Sequence, residues 1–257
     1  AGPARDPPVP RRFRVRPLRS PPRRSPPPVQ VLVRGVRAFQ YATRRKSATW
    51  DGAASIALEF VLEWRRKEGI ESLARQTPER LGRFDELWTW SRCGNDEWGH
   101  PVCWDRLGAV AWDPLLHEFG EEEVCRLFFR RLERLRLEKL QTGEEKGHAV
   151  YKHVYVVDLS DLSMMRVLQR SNRELISHTL GAVSSFYPET MLKMFLVNAP
   201  RVFPHIWRVV QPMIDPVSAA KINILGPLDG DDAAQQLLLD AGVDRAFLTE
   251  HLARRHS

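Results

Sequence analysis

Apolar side chains in the first third of the chain recur at the three- to four-residue spacing of amphipathic helices. Ile56, Phe60 and Trp64 form one such stripe, with Asp51 as a plausible N-cap before it and Gly69 near its end. The pattern before residue 92 predicts a bundle of small helices, over 29–41, 51–69 and 77–90.

Beyond Pro101 the pattern changes to short β-branched and aromatic runs separated by longer helical periods. Because strands that alternate with helices are joined by right-handed crossovers, this pattern predicts an α/β fold with a mainly parallel sheet. The predicted strands are 102–107, 151–159, 194–197 and 222–225, and the predicted helices are 121–140, 164–186, 203–214, 231–241 and 244–253.

The net charge of +7 belongs to the first 28 residues, which hold eight arginines and a single acid, Asp6. Since the remainder is neutral, its composition disfavours a basic nucleic-acid-binding body. Ten of the 19 prolines also lie in this segment, which favours a disordered tail. The tail is interpreted as a tether to acidic membranes, a remnant of a transit peptide, or a solvated linker. No apolar run reaches the roughly 18 residues of a membrane helix, so the body of the protein is expected to be soluble.

Candidate chemistry is sparse. Cys93, Cys103 and Cys125 have no metal-ligand spacing and are expected to be reduced thiols. His100 lies between the first two, but the glycines and proline around it favour a turn over a metal site.

The sequence lacks the phosphate loop, dinucleotide fingerprint, nucleophile elbow and zinc-protease motif of common enzymes. Asp158 at a predicted strand end is interpreted as a turn carboxylate, and no catalytic residue, metal or cofactor is predicted.

The predicted helix 203–214 is apolar around most of its circumference, and only His205, Arg208 and Gln211 form a polar edge. Surface helices normally carry a wider polar face. This helix is therefore either buried in a core or covers an apolar ligand that can enter and leave.

Five phrases in a fixed order, spanning about residues 29–251, carry a resemblance to a known family. Together they resemble the CRAL-TRIO lipid-binding domain, in particular its phosphatidylinositol-transfer (Sec-fourteen-like) branch. The phrases are RRKSATWDGAASIALEFVLEWRRKEGI at 44–70, GHPVCWDRLGAV at 99–110, VYVVDLSDLSM at 154–164, YPETMLKMFLVNAP at 187–200 and DPVSAAKINILG at 215–226.

After the tail over 1–28, the resemblance implies a small helical module over 29–92 and a lipid-binding domain over 93–257, in a cytoplasmic protein that associates transiently with membranes. It implies a pocket floored by the sheet and closed by a movable gate helix at 203–214. The expected pocket or gate contacts are Phe195, Val197, Phe203, Ile206, Trp207 and Val210.

The resemblance also implies a site for a phosphoinositide headgroup. Cations and a hydroxyl suit its phosphates, and a carboxylate suits the inositol hydroxyls. The residues that match the family's motif are Arg45, Lys46, Glu189, Ser218 and Lys221. The alternative is that Glu189 and Lys221 form a surface ion pair.

The chain departs from the family at positions that bear on the ligand. His153 and Tyr155 fall where phosphatidylcholine carriers have two small hydroxyl residues, so a different second ligand is expected. Asp161 replaces a glycine, which costs little if its φ is negative.

Three functions follow from these observations. The first is a non-enzymatic carrier that exchanges a phosphoinositide and a second hydrophobic ligand between membranes. The second is a lipid-sensing module that acts through a protein partner. The third is an α/β enzyme, which a polar cavity converging on Asp158 would favour.

Overall fold

The computed structural model describes residues 50–187, 190–214 and 216–254. The predicted helix 29–41, the tail 1–28 and the headgroup candidates Arg45, Lys46 and Glu189 lie outside the described residues. The described residues begin with three helices, α1 (Trp50–Lys67), α2 (Ile70–Leu73) and α3 (Leu81–Leu87). Gly69 has a φ of 61° between α1 and α2, a backbone conformation that favours glycine.

A five-stranded sheet follows, formed by β1 (Trp90–Asn95), β2 (Pro101–Asp105), β3 (His153–Asp158), β4 (Met191–Val197) and β5 (Ile222–Ile224). The strands lie in chain order, with β1 antiparallel to β2 and the other pairs parallel. The prediction of an α/β fold with a mainly parallel sheet is confirmed.

The connections between the parallel strands contain α4 (Trp112–Lys146), α5 (Met164–Leu168), α6 (Arg170–Phe186), α7 (Phe203–Val210) and α8 (Pro216–Ala219). Because these strands follow one another across the sheet, right-handed crossovers place their helices on the same face. The last two described helices are α9 (Asp232–Asp240) and α10 (Arg245–Ala253), whose side chains pack with those of the opposite face of the sheet.

We call the side of the sheet that packs against α9 and α10 the core face. It is closely packed. Val102 and Trp104 of β2, Val154 and Val156 of β3 and Phe195 and Val197 of β4 meet Leu238 and Leu248 there. Trp104 is 1% exposed, and its ring centroid lies 4.5 Å from that of His251. His251 Nε2 lies 2.8 Å from Asp158 Oδ2, so α10 also contacts the end of β3.

The helical module is joined to the rest of the protein by a buried carboxylate. Glu133 of α4 is fully buried and accepts two hydrogen bonds from Arg65 of α1, at 2.9 and 2.7 Å, and one from Arg136 at 2.8 Å. Burial raises the pKa of Glu133, but the hydrogen bonds from Arg65 and Arg136 outweigh it and lower the pKa overall.

Two glycines allow β1 to approach the loop before α10. A Cβ atom on Gly94 would lie 2.1 Å from the carbonyl oxygen of Gly242, and one on Gly242 would lie 2.4 Å from that of Asn95. Across this contact Asp244 N–H donates to the Cys93 carbonyl at 2.7 Å. The contact brings the start of α10 against the edge of the sheet.

Several predicted element boundaries need correction. The helix expected over 77–90 ends at Leu87, because Trp90 begins the antiparallel strand β1. The helix expected over 164–186 is two helices, separated at Gln169, whose ψ of 137° is not helical. Asp161 has a φ of 65°, so its backbone is in the left-handed region that suits the family's glycine, and the negative φ named above is not found. Aspartate tolerates this region better than most residues do.

Candidate functional site

The face of the sheet opposite the core face, which we call the cavity face, borders a cavity of about 210 Å³. Its strands contribute alternate residues, as the two-residue period of a strand requires. Helices α4, α6 and α7 complete the wall. The apolar lining includes Val157, Met194, Leu196 and Ile222 from the strands and Phe128, Leu132, Leu175, Ile176, Phe203 and Trp207 from the helices.

The helix α7 covers this cavity. Phe203 is 6% exposed, Trp207 is partly buried, and both side chains line the cavity. Pro204, His205 and Arg208 of the same helix are exposed. The apolar face of α7 therefore contacts the cavity, although the side chains of Ile206 and Val210 lie outside the described residues.

The placement of Phe195 and Val197 corrects a prediction. Both side chains lie in the core under α9 and α10, and neither lines the cavity. Their neighbours Met194 and Leu196 line it instead. The alternation of residues along β4 correctly puts Phe195 and Val197 on one face and Met194 and Leu196 on the other. It does not tell which face borders the cavity, because that depends on the side on which the crossover helices lie.

Ser218 and Lys221 lie on the segment that leads into β5. Ser218 is in α8, and the Lys221 amide donates to the Ser218 carbonyl at 3.0 Å. Ile214 before this segment and Ile222 after it both line the cavity. Tyr187 and Thr190, which flank the position of Glu189 in the sequence, line it as well.

The cavity has a polar end, formed by Trp88, Asp105, His153 and Tyr155. The Tyr155 hydroxyl donates to Asp105 Oδ2 at 2.6 Å, and Trp88 Nε1–H donates to Oδ1 at 2.8 Å. Burial raises the pKa of Asp105, and these two hydrogen bonds oppose the rise. Sequence reasoning missed Asp105 because both of its partners are distant in the chain.

Asp158 is a structural carboxylate on the core face, away from the cavity lining. Its Oδ1 accepts hydrogen bonds from Ser160 N–H, Ser160 Oγ–H and Asn198 Nδ2–H, at 2.9, 2.6 and 2.8 Å. Burial raises the pKa of Asp158, but the hydrogen bonds, that of His251 first, lower it overall. This geometry fits the interpretation of Asp158 as a turn carboxylate. Asp158 does not line the cavity, so the polar cavity around Asp158 that would favour an enzyme is not found among the described residues.

Cys93 lies in β1, Cys103 in β2 and Cys125 in α4. Cys93, Cys103 and Cys125 are free thiols. His100 Nδ1 lies 2.8 Å from Asp96 Oδ2, within the turn between β1 and β2. Among the described residues there is no group of three side chains placed to hold a metal ion. The helices of the described ranges include none with the length and apolarity of a membrane span.

An α/β domain whose sheet borders an apolar cavity beneath a short cover helix is an architecture for binding a hydrophobic ligand. The profile of the CRAL/TRIO domain matches residues 87–238. The chain therefore belongs to the CRAL/TRIO domain family, and the resemblance predicted from the sequence is confirmed.

Individual relatives agree with this assignment. The protein real-time of Anopheles gambiae is 31% identical over 82% of this chain, and the match covers 30% of that protein. The phosphatidylinositol/phosphatidylcholine transfer protein SFH7 of Arabidopsis thaliana is 23% identical over 77% of this chain and 35% of its own length. The chain thus spans about a third of the length of these relatives.

A solved structure shares the fold. The crystal structure of Sfh5 superposes with a TM-score of 0.56 at 15% identity, covering 79% of this chain and 66% of that one. At this identity the similarity concerns the fold alone.

Proposed function

We propose that the protein is a lipid carrier, which binds a phosphoinositide and a second hydrophobic ligand and exchanges them between membranes without covalent chemistry. The observation that carries this proposal is the apolar cavity under α7, with Phe203 and Trp207 between it and the surface. Family membership and a relative named as a phosphatidylinositol/phosphatidylcholine transfer protein support it.

Movement of α7 is part of the proposal. The cavity volume of about 210 Å³ lies below the roughly 300–1,000 Å³ of typical ligand pockets. A two-chain lipid therefore requires α7 to move outward. Since Pro204, His205 and Arg208 on its outer side are exposed, such a movement would break few contacts there.

The headgroup assignment stays a proposal for Arg45, Lys46, Glu189, Ser218 and Lys221. Its support is that Ser218 and Lys221 fall, in the sequence, between Ile214 and Ile222, which both line the cavity. A phosphate bound at this segment would be near the cavity that holds the acyl chains and near the Lys221 ammonium group.

Vesicle transfer tests this assignment. The double variant Glu189→Ala/Lys221→Ala should lower transfer of labelled phosphatidylinositol between vesicles by at least about tenfold, because charge-assisted hydrogen bonds contribute roughly 1.5–3 kcal/mol each. Circular dichroism should show an intact fold. The matched control Glu63→Ala/Lys67→Ala removes one acid and one lysine from the exposed side of α1 and should transfer normally. Unchanged transfer by the first double variant would defeat the headgroup assignment.

The membrane-facing surface is proposed to be the rim around α7. Met165 is 80% exposed and Val202 is 45% exposed, and Arg166, Arg201 and Arg208 nearby in the chain are exposed as well. Exposed apolar side chains with basic neighbours suit an anionic lipid surface. Transient association with such a membrane would bring the cover helix to the lipid that it admits.

Binding to phosphatidylserine-containing vesicles tests the rim. Met165→Asp/Val202→Asp should weaken vesicle binding several-fold, because two apolar contacts are replaced by charges that anionic lipid repels. Leu237→Asp, at a site 50% exposed on α9, is the matched control and should bind normally. Equal losses for both variants would place the contact elsewhere.

A sensing module is the second candidate, because the matched relatives are about three times as long as the aligned region and could contain other activities. The two functions differ in output. A protein that binds phosphatidylinositol but never moves it between vesicles would be a sensor.

A further inference from the structure

A second pocket lies on the far side of α4 from the lipid cavity. Phe128 and Leu132 of α4 line the cavity, whereas Arg126 and Arg130 line this pocket, whose volume is about 440 Å³. Residues two positions apart in a helix point in nearly opposite directions, so α4 separates the two spaces. The segment 76–78, which follows α2, contributes to the opposite wall. We call this space the arginine pocket.

The guanidinium group of Arg130 is buried but only partly hydrogen-bonded. Arg130 is 6% exposed, and its Nε–H donates to the Gln76 carbonyl at 2.6 Å. Its two terminal nitrogens have no hydrogen-bond or ion-pair partner within the described ranges, and they are not sealed from solvent. The bond to Gln76 therefore anchors the group while four N–H donors stay available at the pocket.

Arg130 belongs to a row of three arginines on α4, with Arg126 and Arg134 four residues away on either side. Side chains at this spacing are neighbours on a helix, and like charges there repel each other. Burial lowers the pKa of Arg130, and the charge of Arg134 lowers it further. Arg126 and Arg134 are exposed, and neither forms an ion pair in the part of the chain that the structure describes.

The acids around this row pair with other arginines. Glu123, the acid among the described residues that line the pocket, lies 3.4 Å from Arg80. Asp85, whose charge acts on Arg130, lies 2.7 Å from Arg131. The pocket therefore has a surplus of positive charge, which a bound anion would neutralise.

The donors of the pocket suit a phosphate group better than a carboxylate. A phosphomonoester carries close to two negative charges at pH 7 and three strong acceptor oxygens, whereas a carboxylate brings one charge and two oxygens. Arg126 and Arg130 offer two forked guanidinium groups, and Thr77 lines the same pocket. Leu73 and Leu127 form an apolar part of the wall, against which the rest of a ligand can pack.

The surroundings of the pocket favour a soluble ligand over a lipid. None of the exposed large apolar side chains of the described ranges lines the pocket, so its opening has no side chain suited to enter a bilayer. The volume of about 440 Å³ lies within the roughly 300–1,000 Å³ of small-molecule pockets.

We propose that the arginine pocket binds the phosphomonoester group of a small soluble molecule. Arg126 and Arg130 would bind the phosphate, and Leu73 and Leu127 would contact the apolar part of the ligand. This site is separate from the lipid cavity and from the headgroup site, and it does not depend on the carrier function.

Two probes of nearly the same shape test the proposal by isothermal titration calorimetry. Phenyl phosphate and phenyl sulfate both place a tetrahedral group on a phenyl ring, but only the phosphate carries close to two charges at neutral pH. At low salt the wild-type protein should bind phenyl phosphate about tenfold more tightly than phenyl sulfate, the effect of one further charge-assisted contact. Equal affinity for the two probes, or no binding of either, would overturn the proposal.

Variants of exposed arginines locate the bound phosphate. Arg126→Gln should weaken binding of phenyl phosphate about tenfold and leave the circular dichroism spectrum unchanged, because this side chain has no ion pair to lose. Arg173→Gln, at an exposed position of α6, is the matched control and should bind as the wild type does. Unchanged binding in Arg126→Gln would overturn the assignment. A loss confined to Glu189→Ala/Lys221→Ala would place the phosphate in the headgroup site and would overturn it as well.

Vesicles that contain phosphatidic acid, a lipid phosphomonoester, test whether the ligand is soluble. Arg126→Gln should bind these vesicles as the wild type does. A several-fold loss would show that the pocket takes a lipid phosphate and would overturn the assignment to a soluble molecule. Transfer of phosphatidylinositol by the same preparation tests the carrier function separately, because binding of phenyl phosphate without transfer would reject the carrier alone.

Discussion

The two faces of the sheet use the same strands for different purposes. On β3, Val154 and Val156 point into the closely packed core under α9 and α10, whereas Tyr155 and Val157 point into the cavity. The core face contributes stability through burial, and the cavity face leaves apolar surface for a ligand to cover. Truncating a side chain on the core face should therefore lower stability, whereas truncating its neighbour on the cavity face should lower ligand affinity.

A pair of tryptophans should show the largest difference. Trp104→Ala on the core face should lower the free energy of unfolding by about 3–5 kcal/mol, since the fully buried ring also packs on Phe247 and His251. Trp207→Ala in the cover helix should cost about 1 kcal/mol, because this side chain is partly exposed and faces an existing cavity. Urea denaturation measures both, and equal losses would contradict the division.

Two adjacent valines allow a closer comparison. Val156→Ala should cost about 2 kcal/mol, from lost burial and a new void in a site that is 0% exposed. Val157→Ala enlarges a void that already exists and should cost about half as much. Ligand affinity should change in the opposite order, with Val157→Ala weakening the binding of phosphatidylinositol and Val156→Ala leaving it unchanged. A ligand effect of Val156→Ala would contradict the assignment of the faces.

The faces should also differ in their response to acid. Below pH 6.5 the unfolded chain protonates His153 and the folded protein does not until about pH 3, so the unfolded state binds more protons and stability falls. The loss approaches about 1.4 kcal/mol per pH unit, or about 2 kcal/mol between pH 6.5 and 5. Asp158 has a lowered pKa, so its stabilising contribution is lost only as the pH falls below about 4, the pKa of an unfolded aspartate.

Unfolding measured across this pH range checks the assignment. His153→Leu should flatten the profile between pH 6.5 and 5 but keep the loss below pH 4. His117→Leu, at an exposed position of α4, is the control and should leave the profile unchanged. The same slope in His153→Leu as in the wild type would mean that another group causes the loss.

Much of the fold could be predicted because the periodicity of apolar residues is a local property. The parallel strands, the helix α7 and the two last helices all appear in the pattern. The strand β1 does not, because Arg92, Gly94 and Asn95 interrupt any alternation and its pairing with β2 alone reveals it. The break at Gln169 has no local signal such as proline or glycine.

The site was less accessible to sequence reasoning because its residues meet only in the folded protein. Alternation in β4 distinguishes Phe195 from Leu196 but does not say which one faces the ligand. Asp105 receives its hydrogen bonds from residues 17 and 50 positions away. The departures at His153 and Tyr155 were visible only because the family resemblance gave those positions an expected composition.

The close contact between Gly94 and Gly242 has a consequence for inherited variation. Either glycine can mutate to alanine through a single nucleotide change, but the new methyl group would overlap a carbonyl oxygen on the opposite segment. A second substitution could not relieve the first, because the obstruction is backbone. Both positions should therefore remain glycine in homologous proteins, whichever ligand the cavity binds. Homologues that bind a different lipid should still have glycine at both positions.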